Sequence, residues 1–491
     1  MTERGGSPDR KVLWGLLLVL VAGAAVRMLH LGTWDMWTDE VQTLRMARAG
    51  EFWFGPMYST APINFWLTGW TVDLLGADEI GLRAAPFLAG VLTLVLFYPA
   101  FRRWIGDRGA VLGTAVLALS FWHVAWSQTG RHFALQTLWV LGAIWGFLRY
   151  REAGRRSALV LTAVFLLGAL FTHSSSGFYV VALLAVVALD AIRELSSDET
   201  SGQGLGTLRS RTKMAGGVLL GLIVIYLPIY FGVGAFLLEA RSAWNPPWNI
   251  VGSLGFYVTP VVVAFAAGGT FFLWRRDRGV ALTLVSVAIV PLVLLTVASG
   301  ITIASSAYCL PSMLAFAALA GAGCEGLLRA TSERRAAFLG SAAIVAALFA
   351  VQATDLVEYH FFQNGLKPRW TEATDYVREH REPGERVWAA EGDVAEYYLG
   401  EEDVGWLGEY RTGADSLPRS ATDGTWFIVY LRERPDLGAM TSPALRAEEF
   451  PEGGEFRALF PVHYGPKNRT LVVLYRDGAA LGEAADPEET P

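Results

Sequence analysis

Three carboxylates fall within one short stretch, Trp34-Asp35-Met36-Trp37-Thr38-Asp39-Glu40, which directly follows a long apolar run. A carboxylate can act as a general base toward a hydroxyl group, and neighbouring carboxylates can bind a cation. Acidic residues are also favourable at the start of a helix, where they oppose the positive end of the helix dipole. The residues therefore leave two interpretations open: a catalytic or cation-binding pair at Asp39 and Glu40, or a solvated helix start.

Two basic residues interrupt apolar sequence and are the next candidates. Arg131 stands in Ser127–Ala134, and its planar guanidinium is well suited to hold a phosphate group, although an arginine can also reach from an apolar helix to lipid headgroups. His173 stands in Thr172–Ser176 and can bind a metal, a phosphate or a hydroxyl, or simply cap a helix end. Ionisable groups at membrane depth tend to be functional, which favours a phosphate site at Arg131, whereas His123 is interpreted as structural.

The composition divides the chain into two parts. The chain has 491 residues, 53% of them hydrophobic and 18% charged, with a net charge of −6. Long apolar runs occupy residues 12–355, whereas 356–491 resemble an ordinary soluble sequence. This pattern predicts a transmembrane domain at 1–355 and a soluble α/β domain at 356–491, and no basic surface suggests a nucleic-acid partner.

The basic clusters predict the topology, because a spanning helix needs about 20 apolar residues and cytoplasmic loops collect Lys and Arg. The clusters are Arg10–Lys11, Arg102–Arg108, Arg149–Arg156, Arg193–Lys213, Arg275–Arg278 and Arg329–Arg335. Placing all of them inside gives about 11 transmembrane helices, a cytoplasmic N-terminus and an extracytoplasmic C-terminal domain. Arg131 then lies at an outer hairpin tip, and the run Ser157–Leu189 must break at His173–Gly177 because it is too long for one crossing.

The loops between these helices and the soluble domain also contain patterns that predict local structure. The first outer loop, at about 32–79, is rich in aromatic residues, which predicts one or two short amphipathic helices along the outer surface. The aromatic loop at Glu239–Trp248 is interpreted as an interface anchor. In the soluble domain, the patterns predict a helix at Arg369–Arg381 and strands at Arg386–Ala390, Thr425–Leu431 and Thr470–Tyr475.

Taken together, these features resemble the GT-C fold glycosyltransferases, in particular bacterial members of the family 39-like group. That group includes protein O-mannosyltransferases and the aminoarabinose transferase of lipid A. The residues that carry the resemblance are Trp37, Asp39 and Glu40 of Trp-x-Asp-Glu, Ser127, Gln128 and Arg131 of a Ser-Gln-Glu-Ala-Arg signature, and the Thr172-His173 pair. Three positions depart from the family pattern: a His-Pro-Pro-Leu stretch appears as Thr60-Ala61-Pro62-Ile63, Thr129 replaces a Glu, and Ala307 before Tyr308 replaces an Arg.

The resemblance implies an inverting transferase that moves a sugar from a polyprenyl-phosphate donor to a hydroxyl of a lipid, glycan or protein at the outer face of the bacterial plasma membrane. It implies that Asp39 is the base, with Glu40 beside it, and that Arg131 and His173 bind the donor phosphate. The substrate cavity would be lined by Trp37, Pro62, Gln128 and Tyr308. The residues leave open a divalent cation, Mg²⁺ or Mn²⁺, with Asp39, Glu40 and His173 as candidate ligands. The departures imply a differently lined cavity and leave the sugar and the acceptor open.

Two other classes of protein compete with a transferase. A transporter or lipid flippase would place coupling residues at mid-depth, but the predicted spanning helices are almost free of acidic residues. A non-catalytic membrane assembly protein would use the C-terminal domain for binding and would make Asp39 and Arg131 incidental. The chain also lacks a Walker P-loop, an HExxH metal motif and a supported GxSxG nucleophile.

Overall fold

The computed structural model describes residues 9–49, 62–196, 204–239, 247–301, 304–407, 424–430, 455–462 and 470–476. The chain forms two compact units. The membrane unit comprises Met1–Leu31 and Met46–Leu356, and the C-terminal unit comprises Gly32–Arg45 and Val357–Pro491. Thr60, Ala61 and most of the Glu239–Trp248 loop lie outside the described residues.

Helices dominate the chain as far as Val357. In chain order they are α1 (Arg10–Met28), α2 (Thr38–Ala49), α3 (Pro62–Leu75), α4 (Glu79–Ile105), α5 (Asp107–Leu119), α6 (Phe121–Ser127), α7 (Phe133–Ala153), α8 (Arg156–Leu170), α9 (Gly177–Ser196), α10 (Gly204–Glu239), α11 (Pro247–Val258), α12 (Pro260–Arg276), α13 (Arg278–Ala298), α14 (Ser312–Thr331) and α15 (Arg335–Val357). Short 3-10 helices at Ser174–Ser176 and Ser306–Cys309 precede α9 and α14.

The membrane unit is a multi-pass helical bundle. Within the described residues, 7 helices are long and apolar enough to cross a membrane, or up to 9 if two bent pairs each count as one span. The bent pairs are α5 with α6, at 62°, and α11 with α12, at 79°. Together with the shorter apolar helix α8, this agrees approximately with the number expected from the sequence. The predicted break near His173 is confirmed, because α8 ends at Leu170 and α9 begins at Gly177.

Glycines allow the central helices to approach closely. A Cβ atom at Gly269 of α12 would lie 1.7 Å from the carbonyl oxygen of Leu319 in α14. A Cβ atom at Gly321 of α14 would lie 2.3 Å from the carbonyl oxygen of Gly109 in α5. Helices in membranes associate mainly through packing of this kind, so α14 fixes the position of α5 and of the bend that follows it.

A buried arginine ties α1 to that bend. Arg27 of α1 is fully buried and donates to the carbonyl oxygen of Ala118 at 3.1 Å and to His123 Nδ1 at 2.7 Å. Gln128 Nε2 donates to the carbonyl oxygen of Arg27 at 3.1 Å and also to that of Leu29. Buried polar groups need such partners, so His123 has the structural role that the sequence suggested.

The C-terminal unit contains a mixed sheet beside two helices. Its elements are α16 (Trp370–His380), β1 (Arg386–Ala389), α17 (Gly392–Leu399), β2 (Gly405–Trp406), β3 (Thr425–Tyr430), β4 (Glu455–Phe460) and β5 (Leu471–Arg476). The sheet order is β2-β1-β3-β5-β4, with β1 parallel to β2 and β3 and with β5 antiparallel to β3 and β4. The predicted helix and the three predicted strands are present, with ends that differ by at most one residue.

The segment Gly32–Arg45 packs with the C-terminal unit, whereas the domain boundary predicted from the sequence places it in the transmembrane domain. Trp34 is buried, makes an edge contact with Tyr359 at 5.2 Å between ring centroids and stacks on His360 at 5.4 Å. The Asp35 carboxylate accepts the backbone N–H of Thr371 at 2.9 Å, close to the start of α16. Burial of aromatic surface and hydrogen bonds to the segment's polar groups explain this placement.

Candidate functional site

The predicted site residues divide between the two units. Arg131, His173, Pro62, Gln128 and Tyr308 lie in the membrane unit, whereas Trp37, Asp39 and Glu40 lie in the C-terminal unit.

The turn between α6 and α7 presents Arg131 and His132. Gly130 lies against Leu82 of α4, so closely that a Cβ atom there would be 2.3 Å from the leucine Cγ. The backbone N–H of Arg131 donates to the carbonyl oxygen of Thr129 at 2.6 Å, which tightens the turn. Arg131 is itself half-buried. The packing of Gly130 against Leu82 therefore fixes the conformation of the turn.

His132 and His173 form a parallel stack. Their ring centroids lie 4.1 Å apart with an interplanar angle of 9°, and His132 and His173 are only 4% and 8% exposed. Tyr308 packs against His173, with ring centroids 4.9 Å apart. The structure thus brings His173 and Tyr308 together, and it adds His132, which the sequence analysis did not select.

Hydrogen bonds orient His173 and indicate its tautomer. The backbone N–H of Ser175 donates to His173 Nδ1 at 3.2 Å, and the Ser175 Oγ lies 2.7 Å from the same nitrogen. Because Nδ1 accepts the backbone N–H, the proton of the neutral ring lies on Nε2. Gln136 Nε2 donates to the Oγ atoms of Ser175 and Ser176, at 2.9 Å each. His173 therefore caps the short helix Ser174–Ser176 and keeps an N–H donor on its other nitrogen.

The electrostatics of the stack keep both rings neutral. His132 and His173 lie in connections between helices, and burial lowers the pKa of each below its usual value. The positive charge of Arg131 lowers the pKa of both rings further, and His173 also lowers that of His132. Neutral imidazoles beside a guanidinium leave one fixed positive charge in this cluster.

Acidification is expected to destabilise the membrane unit through this stack. The folded-state pKa values lie below the unfolded value of about 6.5, so the stabilising contribution is present above that pH and is lost as pH falls toward the folded values, at about 1.4 kcal/mol per pH unit and histidine. His132→Phe keeps a ring in the stack but does not titrate, so its thermal midpoint in detergent should fall less between pH 7.5 and 5. The exposed-residue variant His380→Gln should behave as the unaltered protein does. An identical pH dependence in His132→Phe would contradict the assignment.

Pro62 and Gln128 occupy structural positions beside this cluster. Pro62 begins α3 and is buried, and the next backbone N–H, that of Ile63, donates to the carbonyl oxygen of Phe171 at 3.4 Å. Gln128 uses its Nε2 to hold the end of α1, as described above. Their contribution to a substrate cavity remains a prediction from the sequence.

In the C-terminal unit, Glu40 forms a buried ion pair that the sequence analysis missed. Its carboxylate contacts Lys367 Nζ, and the Glu40 and Lys367 side chains are 0% and 5% exposed. Lys367 Nζ also lies 5.9 Å from the centroid of the Trp37 ring. The pair joins residues far apart in the chain, and no local pattern around Lys367 signals it.

Asp39 differs from its neighbour in accessibility. It lies in the first turn of α2 and is half-buried, whereas Glu40 is fully buried. The backbone N–H of Thr38 donates to Glu391 Oε2 at 3.3 Å, and the Thr43 hydroxyl donates to the carbonyl oxygen of Asp39 at 2.6 Å. The start of α2 is thus fixed to the C-terminal unit, and of the two carboxylates Asp39 is the more accessible.

Removing one partner of the buried pair should destabilise the C-terminal unit. Lys367→Met leaves the Glu40 charge buried without its cation, which is expected to cost about 3–5 kcal/mol. The double variant Glu40→Gln, Lys367→Met should recover most of that loss, and Lys11→Met, which changes an exposed lysine, should have no effect. Thermal unfolding of the purified chain measures all of these. If the double variant is destabilised as much as Lys367→Met, the unpaired charge of Glu40 is not the cause of the lost stability.

A metal site does not fit the described side chains. Within the described residues, neither unit contains a group of three or more His, Cys, Asp or Glu side chains that could hold a metal ion. Glu40 is engaged by Lys367, and His173 Nδ1 is engaged by Ser175.

Comparison with known sequences gives partial matches. Residues 59–231 match the family model described as dolichyl-phosphate-mannose-protein mannosyltransferase. An uncharacterised protein of Aquifex aeolicus is 31% identical over 121 residues, which are 22% of this chain and 24% of that protein. The chain therefore spans about a quarter of the length of this relative.

Solved structures match much more of the chain. ArnT from Cupriavidus metallidurans in the apo state is similar over 97% of this chain and 99% of its own, with a TM-score of 0.54 and 16% identity. The same protein bound to undecaprenyl phosphate covers 98% and 100%, with a TM-score of 0.53 and 15% identity. The Archaeoglobus fulgidus oligosaccharyltransferase covers 85% of this chain and 68% of its own, with a TM-score of 0.52 and 14% identity. The chain is therefore a multi-pass membrane protein that shares the fold of these structures, the GT-C fold expected from the sequence.

Proposed function

We propose that this chain is an inverting glycosyltransferase that moves a sugar from a polyprenyl-phosphate donor to an acceptor hydroxyl at the outer face of the bacterial plasma membrane. In this proposal the N-terminus is cytoplasmic and the C-terminal unit is extracytoplasmic. The observation that carries the proposal is the cluster of Arg131, His132 and His173 at the helix connections of a GT-C fold. The similarity to a protein solved with undecaprenyl phosphate supports a lipid-linked donor.

The donor phosphate is assigned to Arg131 and His173. A guanidinium offers several N–H donors in a fixed plane and keeps its charge, which suits a phosphate that gains negative charge as the sugar leaves. The Nε2–H of neutral His173 supplies a further donor without adding a second positive charge beside Arg131. Ser175 and Tyr308 hold this imidazole in place.

Asp39 is assigned as the general base. An acceptor hydroxyl has a pKa far above neutral, so its proton must be removed as the oxygen attacks. In the transfer step the acceptor oxygen bonds to the anomeric carbon from the face opposite the phosphate, its proton passes to the Asp39 carboxylate, and the bond from that carbon to the phosphate oxygen breaks. The electron pair of that bond leaves with the polyprenyl phosphate. The leaving group is already a stable anion, so the step needs no second carboxylate as general acid, unlike hydrolysis by inverting glycosidases.

Two measurements test this function. The purified chain in lipid nanodiscs should release polyprenyl phosphate from a synthetic polyprenyl-phosphate sugar only when an acceptor is present. Mass spectrometry of glycolipids and glycans from a deletion strain should reveal the missing sugar, and thereby identify the sugar and the acceptor. Unchanged glycolipids and glycans, together with no release from a panel of hexosyl and pentosyl donors, would reject the transferase.

A further inference from the structure

A cavity with several charged residues in its lining lies at the far end of the helices that carry the histidine stack. It has a volume of about 230 Å³ and is lined by residues of α7, α9 and α10. His132 and His173 precede α7 and α9, whereas the cavity residues Arg151, Asp190 and Arg193 lie in the last turns of these helices. A helix of about 20 residues is about 30 Å long, so the cavity and the stack are separate sites.

The acidic residues of this cavity already have partners. Asp190 pairs with Arg151 at 2.9 Å, and Glu194 accepts a hydrogen bond from the Thr212 hydroxyl at 2.6 Å. Arg193 and Arg211 also line the cavity, and across the described ranges neither makes an ion pair. The cavity lining therefore carries three guanidinium groups and two carboxylates, an excess of one positive charge.

The backbone around Arg211 is arranged to accommodate its guanidinium. Gly154 ends α7 in a left-handed conformation, with φ of 66°, and a Cβ atom there would lie 2.3 Å from the Arg211 guanidinium. The Tyr150 hydroxyl donates to the carbonyl oxygen of Arg211 at 2.8 Å. Glycine is thus required at this position both for its backbone conformation and for the space that the arginine occupies.

From these features we infer that the cavity binds a phosphate group through Arg193 and Arg211. Guanidinium groups bind phosphate through charge-assisted, often bidentate hydrogen bonds. Basic pockets between membrane helices on the cytoplasmic side bind anionic lipid headgroups, and the charge pattern of the chain predicts that this end is cytoplasmic. The phosphate can come from the headgroup of an anionic phospholipid or from a soluble phosphate compound.

Native mass spectrometry of the full chain tests the inference and separates the two sources. With phosphatidylglycerol, the fraction of protein that carries one lipid adduct should be about tenfold lower in the double variant Arg193→Gln, Arg211→Gln than in the unaltered chain. Arg193→Lys, Arg211→Lys should retain most of it, and Arg276→Gln, an exposed arginine at the end of α12, should retain all of it. Phosphatidylcholine, whose headgroup has no net charge, should show no difference between variants.

Inorganic phosphate provides the second arm. The thermal stability of the chain is measured with and without phosphate at constant ionic strength. If phosphate stabilises the unaltered chain but not the double Gln variant, and the lipid adducts do not change, the site binds a soluble phosphate. Equal lipid retention and equal phosphate stabilisation in the double Gln variant would overturn the inference. Size-exclusion chromatography shows whether each variant is folded. None of these readouts depends on sugar transfer, so the result is independent of the proposed transferase activity.

Discussion

Asp39→Asn is expected to reduce sugar transfer at least about a hundredfold, because general-base catalysis contributes roughly 10²–10⁴ to the rate. The amide is nearly isosteric with the carboxylate but cannot accept the acceptor's proton. Glu40 cannot replace Asp39, because its carboxylate is fully buried against Lys367. The measurement is the release of polyprenyl phosphate by purified protein at saturating donor and acceptor.

A matched control makes this result specific. Asp73→Asn changes an exposed carboxylate on α3 by the same chemistry and should leave the rate unchanged. Turnover within a few-fold of normal in Asp39→Asn, with the protein folded and inserted, would rule out this residue as the base.

The large-scale organisation followed from sequence because it rests on strong, local physical signals. Apolar runs of spanning length between basic clusters identify membrane helices without any knowledge of their packing. The break at His173 was predictable because one helix over Ser157–Leu189 would be longer than a bilayer is thick. The strands at β1, β3 and β5 were predictable because apolar runs mark buried strands, whereas β4 is largely exposed and β2 spans only two residues.

The details of the candidate site depended on long-range contacts that no local pattern records. The Lys367–Glu40 pair is one example, since a lysine near the start of the C-terminal unit gives no sign of its distant partner. His132 is another, because its role depends on a stack with a residue from a different helix connection. The packing of Trp34 on Tyr359 likewise assigns the acidic segment to a unit whose larger part, Val357–Pro491, lies more than three hundred residues later in the chain.

The acidic segment also shows how a shared motif can combine two physical roles. Asp39 and Glu40 are adjacent and both fit the Trp-x-Asp-Glu pattern, yet one is half-buried and the other completely buried. Adjacent helical positions point about 100° apart, so a base facing substrate and a buried structural acid can occupy consecutive positions. The pair in the sequence is therefore interpreted as one candidate base and one residue that anchors it.

Arg131→Ala is the second change with a large expected effect. Loss of one charged group that stabilises a leaving phosphate is expected to reduce kcat/KM about 10²–10³-fold. Part of this loss should appear as weaker donor binding, because the phosphate is charged before the reaction as well as after it. Arg131→Lys keeps the charge but loses the planar donor pair, so it should recover only part of the activity.

Donor binding separates this role from a structural one. Polyprenyl phosphate, the product, should inhibit the unaltered chain, and its inhibition constant should rise in Arg131→Ala in parallel with the KM for the donor, whereas the KM for the acceptor should change little. Arg108→Ala, at an exposed arginine in the first turn of α5, is the matched control and should leave all three constants unchanged. An arginine that only contacted lipid headgroups would alter stability or insertion without this selective effect on the phosphate ligands. Unchanged inhibition by polyprenyl phosphate in a folded Arg131→Ala protein would therefore move the phosphate site away from this turn.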